Sequence, residues 1–182
     1  MKLMRPLLNY DRLIVAMVSL LALVALGSLA RAALGPQIEI EDELLISAPY
    51  EEVWEYVTQD DKRILWETGI ISIVPLETGE FKPGARNLLI YALDESTFEI
   101  EETILRVESG ELEVSRRYDK FDGTWAVRLR EVEIGQVLIS VKQVRRPKKF
   151  YLKWMAPWLE WRDSRRLSRA LQNLAELVEQ TN

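Results

Sequence analysis

Three ionisable residues are the candidates for chemistry in this sequence. Glu102, Arg116 and Glu131 lie in predicted strands, and we interpret their side chains as pointing inward. Burial moves the pKa of a carboxyl group toward neutrality, where it can accept or donate a proton. The set is too sparse for us to assign a catalytic residue, and the sequence favours binding over catalysis.

Other kinds of catalytic and cofactor site are excluded by composition. The chain has no Cys and no His, which removes Ser-His-Asp and Cys-His nucleophiles and the H-E-x-x-H zinc motif. Its 8 glycines are scattered, so no Gly-rich phosphate loop is present. In acidic pairs such as Asp60–Asp61 and Glu101–Glu102 the two residues are adjacent, so on a strand they would point to opposite faces, and we interpret them as solvated. We expect neither a metal nor a cofactor.

Seven strands must position any inward side chain. Residues 38–46 alternate apolar and acidic side chains, which predicts a half-buried first strand. Turn signals then separate six further segments, and their short connections imply antiparallel neighbours. These predicted strands cover residues 69–76, 85–93, 97–108, 111–119, 124–133 and 136–145.

One long helix is predicted from Pro157 to Glu179. Its apolar residues recur at steps of three and four and form a single stripe, made of Leu167, Ala170, Leu171, Leu174 and Val178. That stripe needs an apolar surface to cover it, and the alternating strands supply one. We therefore predict an α+β fold, a curved antiparallel sheet wrapped around a C-terminal helix.

A short stretch carries a family resemblance. Residues 46–57, ISAPYEEVWEYV, followed by Asp60, resemble the opening signature of the START-like, or SRPBCC, superfamily. This group includes polyketide cyclase/dehydrase, lipid-transfer and birch-pollen allergen-like proteins. Its order of strand, two short helices, six strands and one long helix resembles residues 38–180. The resemblance implies a helix-grip fold with an apolar cavity between the sheet and the long helix, which would hold a hydrophobic ligand or lipid.

Bulky inward residues are the candidates for lining such a cavity. They have two interpretations, a ligand-binding surface or an ordinary packed core, and the sequence does not separate these. The candidates are Trp66, Tyr91, Phe98, Tyr118, Trp125, Val127, Leu129, Ile139, Trp154 and Trp158.

The approach to the long helix is basic and aromatic. Residues 142–169 carry 10 basic and 2 acidic side chains, whereas residues 38–141 carry 10 basic and 24 acidic ones. Trp together with Lys and Arg is typical of a membrane interface, although tryptophans that seal the core explain the pattern equally well. The acidic remainder argues against nucleic acid as a partner. The interface candidates are Arg31, Lys148, Lys149, Trp154, Trp158 and Trp161.

The N-terminal residues predict attachment to a bilayer. Leu13 to Ala30 is an uncharged run of 18 residues, at the lower limit for a transmembrane helix. We predict a tail at 1–12, an anchor at 13–34, a linker at 35–37 and a START-like domain at 38–182. The flanking positive charge places the tail in the cytoplasm and the domain outside. A cleaved signal peptide, with a small-x-small site at residues 30–32, is the alternative.

Three functions fit these features. The first is membrane-anchored binding or transfer of a hydrophobic small molecule or lipid. The second is an enzyme of the polyketide cyclase or dehydratase type, and the third is an interaction module with a filled core and an acidic sheet face. A cavity volume and a co-purifying apolar molecule would distinguish them.

Overall fold

The chain forms one sheet and five helices within the residues that are described. The structure is a computed structural model that describes residues 8–33, 35, 37–77, 81–93 and 96–180. The helices are α1 (Leu8–Ala33), α2 (Tyr50–Thr58), α3 (Asp60–Trp66), α4 (Phe150–Trp154) and α5 (Ala156–Glu179). The strands are β1 (Ile38–Ile46), β2 (Ile70–Pro75), β3 (Arg86–Leu93), β4 (Ser96–Glu108), β5 (Glu111–Arg117), β6 (Phe121–Glu133) and β7 (Gln136–Pro147).

The seven strands form a single antiparallel sheet in the order β1-β7-β6-β5-β4-β3-β2. Consecutive strands from β2 to β7 are neighbours, as short turns require, and β1 closes the order by pairing with β7. The alternation that predicted the strands appears as burial, since Ile38, Ile40 and Ile46 of β1 are all at most 4% exposed. The sheet prediction is therefore confirmed.

The C-terminal helix α5 covers the sheet through the predicted stripe. Leu167, Ala170, Leu171, Leu174 and Val178 are all buried, and α5 lies against β1 and α3. Pro157 stands in its first turn, where the missing N–H is not needed. The fold is thus a helix gripped by a curved sheet, as the resemblance implied.

Two features of the sheet require glycine. A Cβ on Gly123 would lie 2.1 Å from the carbonyl oxygen of Val144, so β6 and β7 approach each other too closely there for any side chain. Gly69 has a φ of 99° and turns the chain from α3 into β2, and its carbonyl accepts a hydrogen bond from Ala92 at 2.8 Å. This turn places the end of α3 beside β3.

The N-terminal helix α1 has an exposed apolar surface. Its large apolar side chains from Leu13 to Leu26 are each 54–66% exposed, and the helix approaches α4. In the part of the chain that the structure describes, none of the helices is long and apolar enough to span a bilayer. The structure therefore gives the transmembrane prediction for residues 13–34 no support.

The basic, aromatic approach is divided into two helices. Trp154 closes α4, and Met155 separates it from α5, with a backbone ψ near 0°. The tryptophans at 154, 158 and 161 therefore do not lie along one continuous helix. Lys148 joins this segment to the turn between β5 and β6, because its backbone N–H donates to the carbonyl of Lys120 at 2.9 Å.

Candidate functional site

The predicted cavity residues separate into three groups. The first group fills the space between the sheet and the helices and is at most 9% exposed: Trp66, Trp125, Val127, Leu129 and Ile139. Trp66 and Trp125 pack together with ring centroids 6.1 Å apart, and the indole N–H of Trp66 donates to the carbonyl of Tyr56 at 2.7 Å. At these positions the described side chains form a packed core.

A second group is half-buried and forms what we call the aromatic ladder, namely Tyr91, Phe98 and Tyr118. The rings of Tyr91 and Phe98 stack with centroids 5.5 Å apart and an interplanar angle of 13°. The Phe98 and Tyr118 centroids are 4.9 Å apart. The ladder crosses from β3 over β4 to the end of β5, on the face of the sheet that carries the core.

The third group is on the surface. Trp154 and Trp158 are 60% and 48% exposed, so neither is a cavity residue in this structure. They belong with Trp161, Phe150 and Tyr151, which are 53%, 60% and 52% exposed. These five residues of α4 and the first turns of α5 are called the aromatic face below.

Basic side chains accompany the aromatic face. The guanidinium groups of Arg162 and Arg165 lie 4.9 and 4.3 Å from the ring centroids of Trp158 and Trp161. Lys148 and Lys149 are exposed and pair with Asp122 and Asp119 at 2.8 and 3.7 Å. Of the other interface candidates, Arg31 lies in α1, and its side chain is outside what the structure describes.

An ion cluster lies under α3, inside the fold. It consists of Arg63 and Glu67 at the end of α3, Glu102 on β4, Arg116 on β5 and the phenol of Tyr91 on β3. Arg63 and Glu102 are completely buried, and the side chains of Glu67 and Arg116 are 7% and 13% exposed. Strand alternation turns Glu102 into the core, so the interpretation of Glu102 as an inward residue agrees with the structure, whereas the interpretation of Glu101–Glu102 as a solvated pair is wrong for Glu102.

The local structure explains how these groups meet. Arg63 and Glu67 are four residues apart, which places them on one face of a helical turn, and their Nε and Oε2 atoms are 2.9 Å apart. Glu102 and Arg116 stand directly opposite each other in the β4–β5 register. Gly69 lets α3 end beside Tyr91, since a Cβ on Gly69 would lie 3.2 Å from the Tyr91 ring.

Each carboxylate of the cluster is held by two arginines. Arg63 binds Glu102 through two N–H groups at 2.7 and 2.6 Å, and Arg116 Nε donates to the same carboxylate at 2.9 Å. Glu67 accepts from Arg63, from Arg116 Nη1 and from the Tyr91 hydroxyl, the last at 2.9 Å. Both guanidinium groups also lie over the Trp125 ring, 4.8 and 4.7 Å from its centroid. Formally the cluster is neutral, with two positive and two negative side chains.

The electrostatics of the cluster fix its charge states. Burial would raise the pKa of Glu102, but Arg63 and Arg116 outweigh it and lower the pKa to about 2. Burial also opposes ionisation of Glu67, and the same two arginines lower its pKa. Burial raises the pKa of Tyr91. These carboxylates are therefore weak bases and the phenol is a weak acid near neutral pH.

One donor in the cluster is left over. Nη2 of Arg116 is buried and has no hydrogen-bond partner among the described residues. A buried donor without a partner costs stability, and such an atom calls for an explanation. Asp60 lies next to the cluster, its Oδ1 is likewise buried without a partner, and burial raises its pKa.

The remaining inward candidate is not part of the site. Glu131 is exposed near the β6–β7 turn, where β6 extends past the buried residues Val127 and Leu129, so the expectation that it faces inward is wrong. Sequence reasoning missed Arg63 and Glu67, whose only signal is opposite charge at a spacing of four. Among the described residues, no group of acidic side chains is arranged to hold a metal ion.

The depressions that stand out in the described part of the chain lie on the surface. One, of about 490 Å³, is bordered by Pro157, Glu160, Trp161 and Ser164 beside the aromatic face. Another, of about 320 Å³, lies on the outer face of the sheet and includes Arg106, Glu113 and Lys142. That outer face is charged, and its lysine and arginines pair with neighbouring glutamates, as Lys142 does with Glu39.

Comparison with solved structures identifies the fold. A START superfamily protein from Mycobacterium smegmatis superposes with a TM-score of 0.66 at 12% identity, covering 79% of this chain and 99% of that one. An aromatase/cyclase from a Streptomyces species gives 0.66 at 10% identity, covering 79% and 94%. Norcoclaurine synthase from Thalictrum flavum, in complex with dopamine and hydroxybenzaldehyde, gives 0.61 at 12% identity, covering 84% and 92%. The fold is that of the START/SRPBCC superfamily.

Comparison at the level of sequence adds nothing to this. No protein-family profile matches the chain. No curated protein matches it either. The assignment of a START-like fold therefore rests on the sheet order, the long α5 helix and their superposition on solved structures.

Proposed function

We propose that this protein binds a hydrophobic small molecule or lipid and exchanges it with a bilayer on which its aromatic face rests. The aromatic face is the observation that carries the proposal. Five large aromatic side chains on two consecutive helices, each about half exposed or more, are an unusual surface for a protein in water. Trp and Tyr mixed with Lys and Arg suit the headgroup region of a membrane, where one end of a ring is apolar and the other wet.

The apolar surface of α1 supports the same location. Its exposed side chains from Leu13 to Leu26 need an apolar environment, and the helix approaches α4, whose aromatic residues form part of the face. Attachment through residues 13–34, with the domain outside the cytoplasm, is the arrangement that we propose. The short linker at 35–37 would then keep the domain within about 10 Å of the bilayer.

The fold supports the proposal that the ligand is hydrophobic. Members of the START/SRPBCC fold bind hydrophobic ligands or act as polyketide cyclases, and one of the similar structures was solved with dopamine and hydroxybenzaldehyde. In this chain each carboxylate of the ion cluster is held as an anion by two arginines, which favours binding over acid–base catalysis. A ligand would enter beside the half-buried aromatic ladder, because the neighbouring core is fully packed.

A vesicle-transfer assay tests the proposal. The full-length protein is expected to accelerate movement of a fluorescent lipid from donor to acceptor vesicles. Replacing Trp154, Trp158 and Trp161 together by Ala should reduce that rate about tenfold or more, since aromatic burial dominates interfacial contacts. The matched control replaces Val132 and Ile134 by Ser, because these apolar side chains are 49% and 99% exposed at the β6–β7 end of the sheet. Equal rates for the two variants would contradict the proposal.

The packed interior favours a second candidate, an interaction module that carries no ligand. Trp66, Trp125 and Ile139 are at most 1% exposed and occupy space that a ligand would need. Native mass spectrometry of protein released from membranes distinguishes the two functions. A bound apolar molecule supports ligand binding, whereas the bare polypeptide mass together with no transfer activity supports the interaction module.

A further inference from the structure

Two acidic side chains lie in the basic, aromatic approach to α5, and their surroundings differ. Glu160 and Asp163 are the two acidic residues among residues 142–169, which carry 10 basic ones. Asp163 is 4% exposed, and Arg145 and Arg162 bind its carboxylate at 2.7 and 3.0 Å. Glu160 is half-buried, and no lysine or arginine of the described residues lies within ion-pair distance of it. Asp163 therefore joins α5 to the sheet, whereas the charge of Glu160 is left without compensation in the described part of the chain.

Glu160 borders the depression beside the aromatic face. Pro157, Glu160, Trp161 and Ser164 are spaced by three, one and three residues along α5, and together they border a volume of about 490 Å³. This spacing keeps the four side chains on one side of the helix. A carboxylate, a hydroxyl and an indole ring that is 53% exposed thus meet at one surface, and each of these groups can contact a cation.

Arg165 brings a positive charge next to the same ring. Its guanidinium lies 4.3 Å from the ring centroid of Trp161, four residues earlier on α5. Arg165 is exposed, and no carboxylate of the described residues forms an ion pair with it. A guanidinium group is well suited to bind phosphate oxygens. The Trp161 ring therefore has two charged neighbours on the helix, Glu160 as an acceptor for a cation and Arg165 as a donor to a phosphate.

The negative charge of Glu160 determines which headgroup this surface can accept. When the aromatic face rests on a bilayer, the Glu160 carboxylate lies near lipid phosphates, and like charges in close contact are unfavourable. A headgroup that ends in an ammonium group removes this conflict, because it places a positive charge beyond its phosphate. A headgroup without an ammonium group, such as that of phosphatidylglycerol, leaves the two negative charges facing each other.

We propose that the depression at Trp161 binds a phospholipid headgroup that carries an ammonium group beyond its phosphate, with the ammonium on Glu160 and the indole ring and the phosphate on Arg165. The Ser164 hydroxyl accepts a further hydrogen bond from the ammonium group. This inference rests on the proposed function, because the site meets such a headgroup only when the aromatic face lies on a bilayer. It adds the class of lipid that the face selects and the residue that selects it.

A lipid competition with the full-length protein tests the class of headgroup. The protein is placed in nanodiscs that contain phosphatidylethanolamine and phosphatidylglycerol in equal amounts, and the lipids that it retains are quantified by native mass spectrometry. Phosphatidylethanolamine should be enriched about tenfold, as one hydrogen bond between charged groups allows. If brominated lipids quench the tryptophans but phosphatidylethanolamine is not enriched, the inference is overturned and the proposed function stands. If the tryptophans also remain unquenched, both are overturned.

Changes of charge at position 160 test the residue. Glu160→Gln should abolish the enrichment, and Glu160→Lys should reverse it toward phosphatidylglycerol, because a lysine attracts the acidic headgroup. A residue with a purely structural role would not reverse the preference. Glu176→Gln and Glu176→Lys are the matched controls, since Glu176 is an exposed acid about 24 Å farther along the same helix, and both should keep the wild-type preference. Enrichment of phosphatidylethanolamine by Glu160→Lys, or an equal reversal in Glu176→Lys, overturns the assignment.

Discussion

The ion cluster and the aromatic face are opposite departures from the ordinary distribution of side chains. The cluster buries four charged side chains, whereas the face exposes five aromatic ones. The cluster is balanced within the chain, because each carboxylate has two arginine partners. The aromatic side chains of the face remain about half exposed or more, although two arginines lie on its rings and α1 approaches α4. A buried charged group with partners inside the fold needs no ligand or partner protein to compensate its charge. An exposed cluster of apolar side chains, by contrast, implies a partner outside the chain.

This contrast makes the face the better guide to function and the cluster the better guide to stability. Removing one member of a buried charge pair leaves the other without compensation. Removing an exposed aromatic side chain leaves the folded state almost unchanged. Variants of the ion cluster should therefore change the free energy of unfolding, whereas variants of the aromatic face should change membrane binding.

The largest effect is expected for Glu102→Gln. This change leaves Arg63 and Arg116 short of one negative charge inside the fold, and the free energy of unfolding should fall by about 3–5 kcal/mol. Chemical denaturation monitored by circular dichroism measures it. Glu101→Gln is the matched control. The Glu101 side chain is 37% exposed and lies 3.5 Å from Arg86, and a solvent-exposed ion pair of this kind contributes little to stability, so little change is expected. If the two variants proved equally stable, the cluster would not have the structural role described here.

A smaller, graded effect is expected from acid. The pKa of Glu102 is lowered from 4.5 to about 2 in the folded protein, because its two arginines outweigh the effect of burial. A lowered folded-state pKa contributes stability that is complete above pH 4.5 and is lost as the pH falls toward 2. Glu67 contributes in the same direction.

Denaturation at a series of pH values measures this dependence. The free energy of unfolding of the wild-type protein should decline between those two pH values, and the decline should be shallower in Glu102→Gln, which lacks the titrating group. Identical slopes in the two proteins would show that other carboxylates are responsible.

The smallest effect is expected at the basic edge of the aromatic face. Arg165→Gln removes a guanidinium that lies 4.3 Å from the Trp161 ring and near the proposed headgroup region. Binding to anionic vesicles should weaken by about 1 kcal/mol, as for one basic residue near a charged bilayer, and less so at high salt. Arg128→Gln, on the outer face of the sheet, is the control and should bind like the wild type. Stronger loss in the control would place the membrane against the sheet.

The sequence was sufficient for the fold because the signals for the fold are local. Alternation and turn residues located all seven strands to within a few residues, and the helical stripe located α5 to within one residue at its start. The sequence predicted only part of the ion cluster. Glu102 and Arg116 could be named from strand alternation, but Arg63 binds a partner 39 residues away, and no local pattern reports such a pairing.

The tryptophans show the same limit. Trp125 stands in an alternating strand and is buried, as expected, whereas Trp154 and Trp158 were candidates for both cavity and membrane interface and proved to be exposed. Which side a helical aromatic residue faces depends on where α4 ends and how α5 begins, and both depend on packing against the sheet. Residue type alone does not supply that information.

The most direct test of the account is quenching of tryptophan fluorescence by brominated phospholipids in the bilayer. In the full-length protein the emission should be strongly quenched, because Trp154, Trp158 and Trp161 would lie among the headgroups. The variant in which these three are replaced by Ala should lose that quenching and keep the unfolding free energy of the wild type. Emission from the membrane-bound wild-type protein that the brominated lipids leave unquenched would contradict the claim that this face rests on the bilayer.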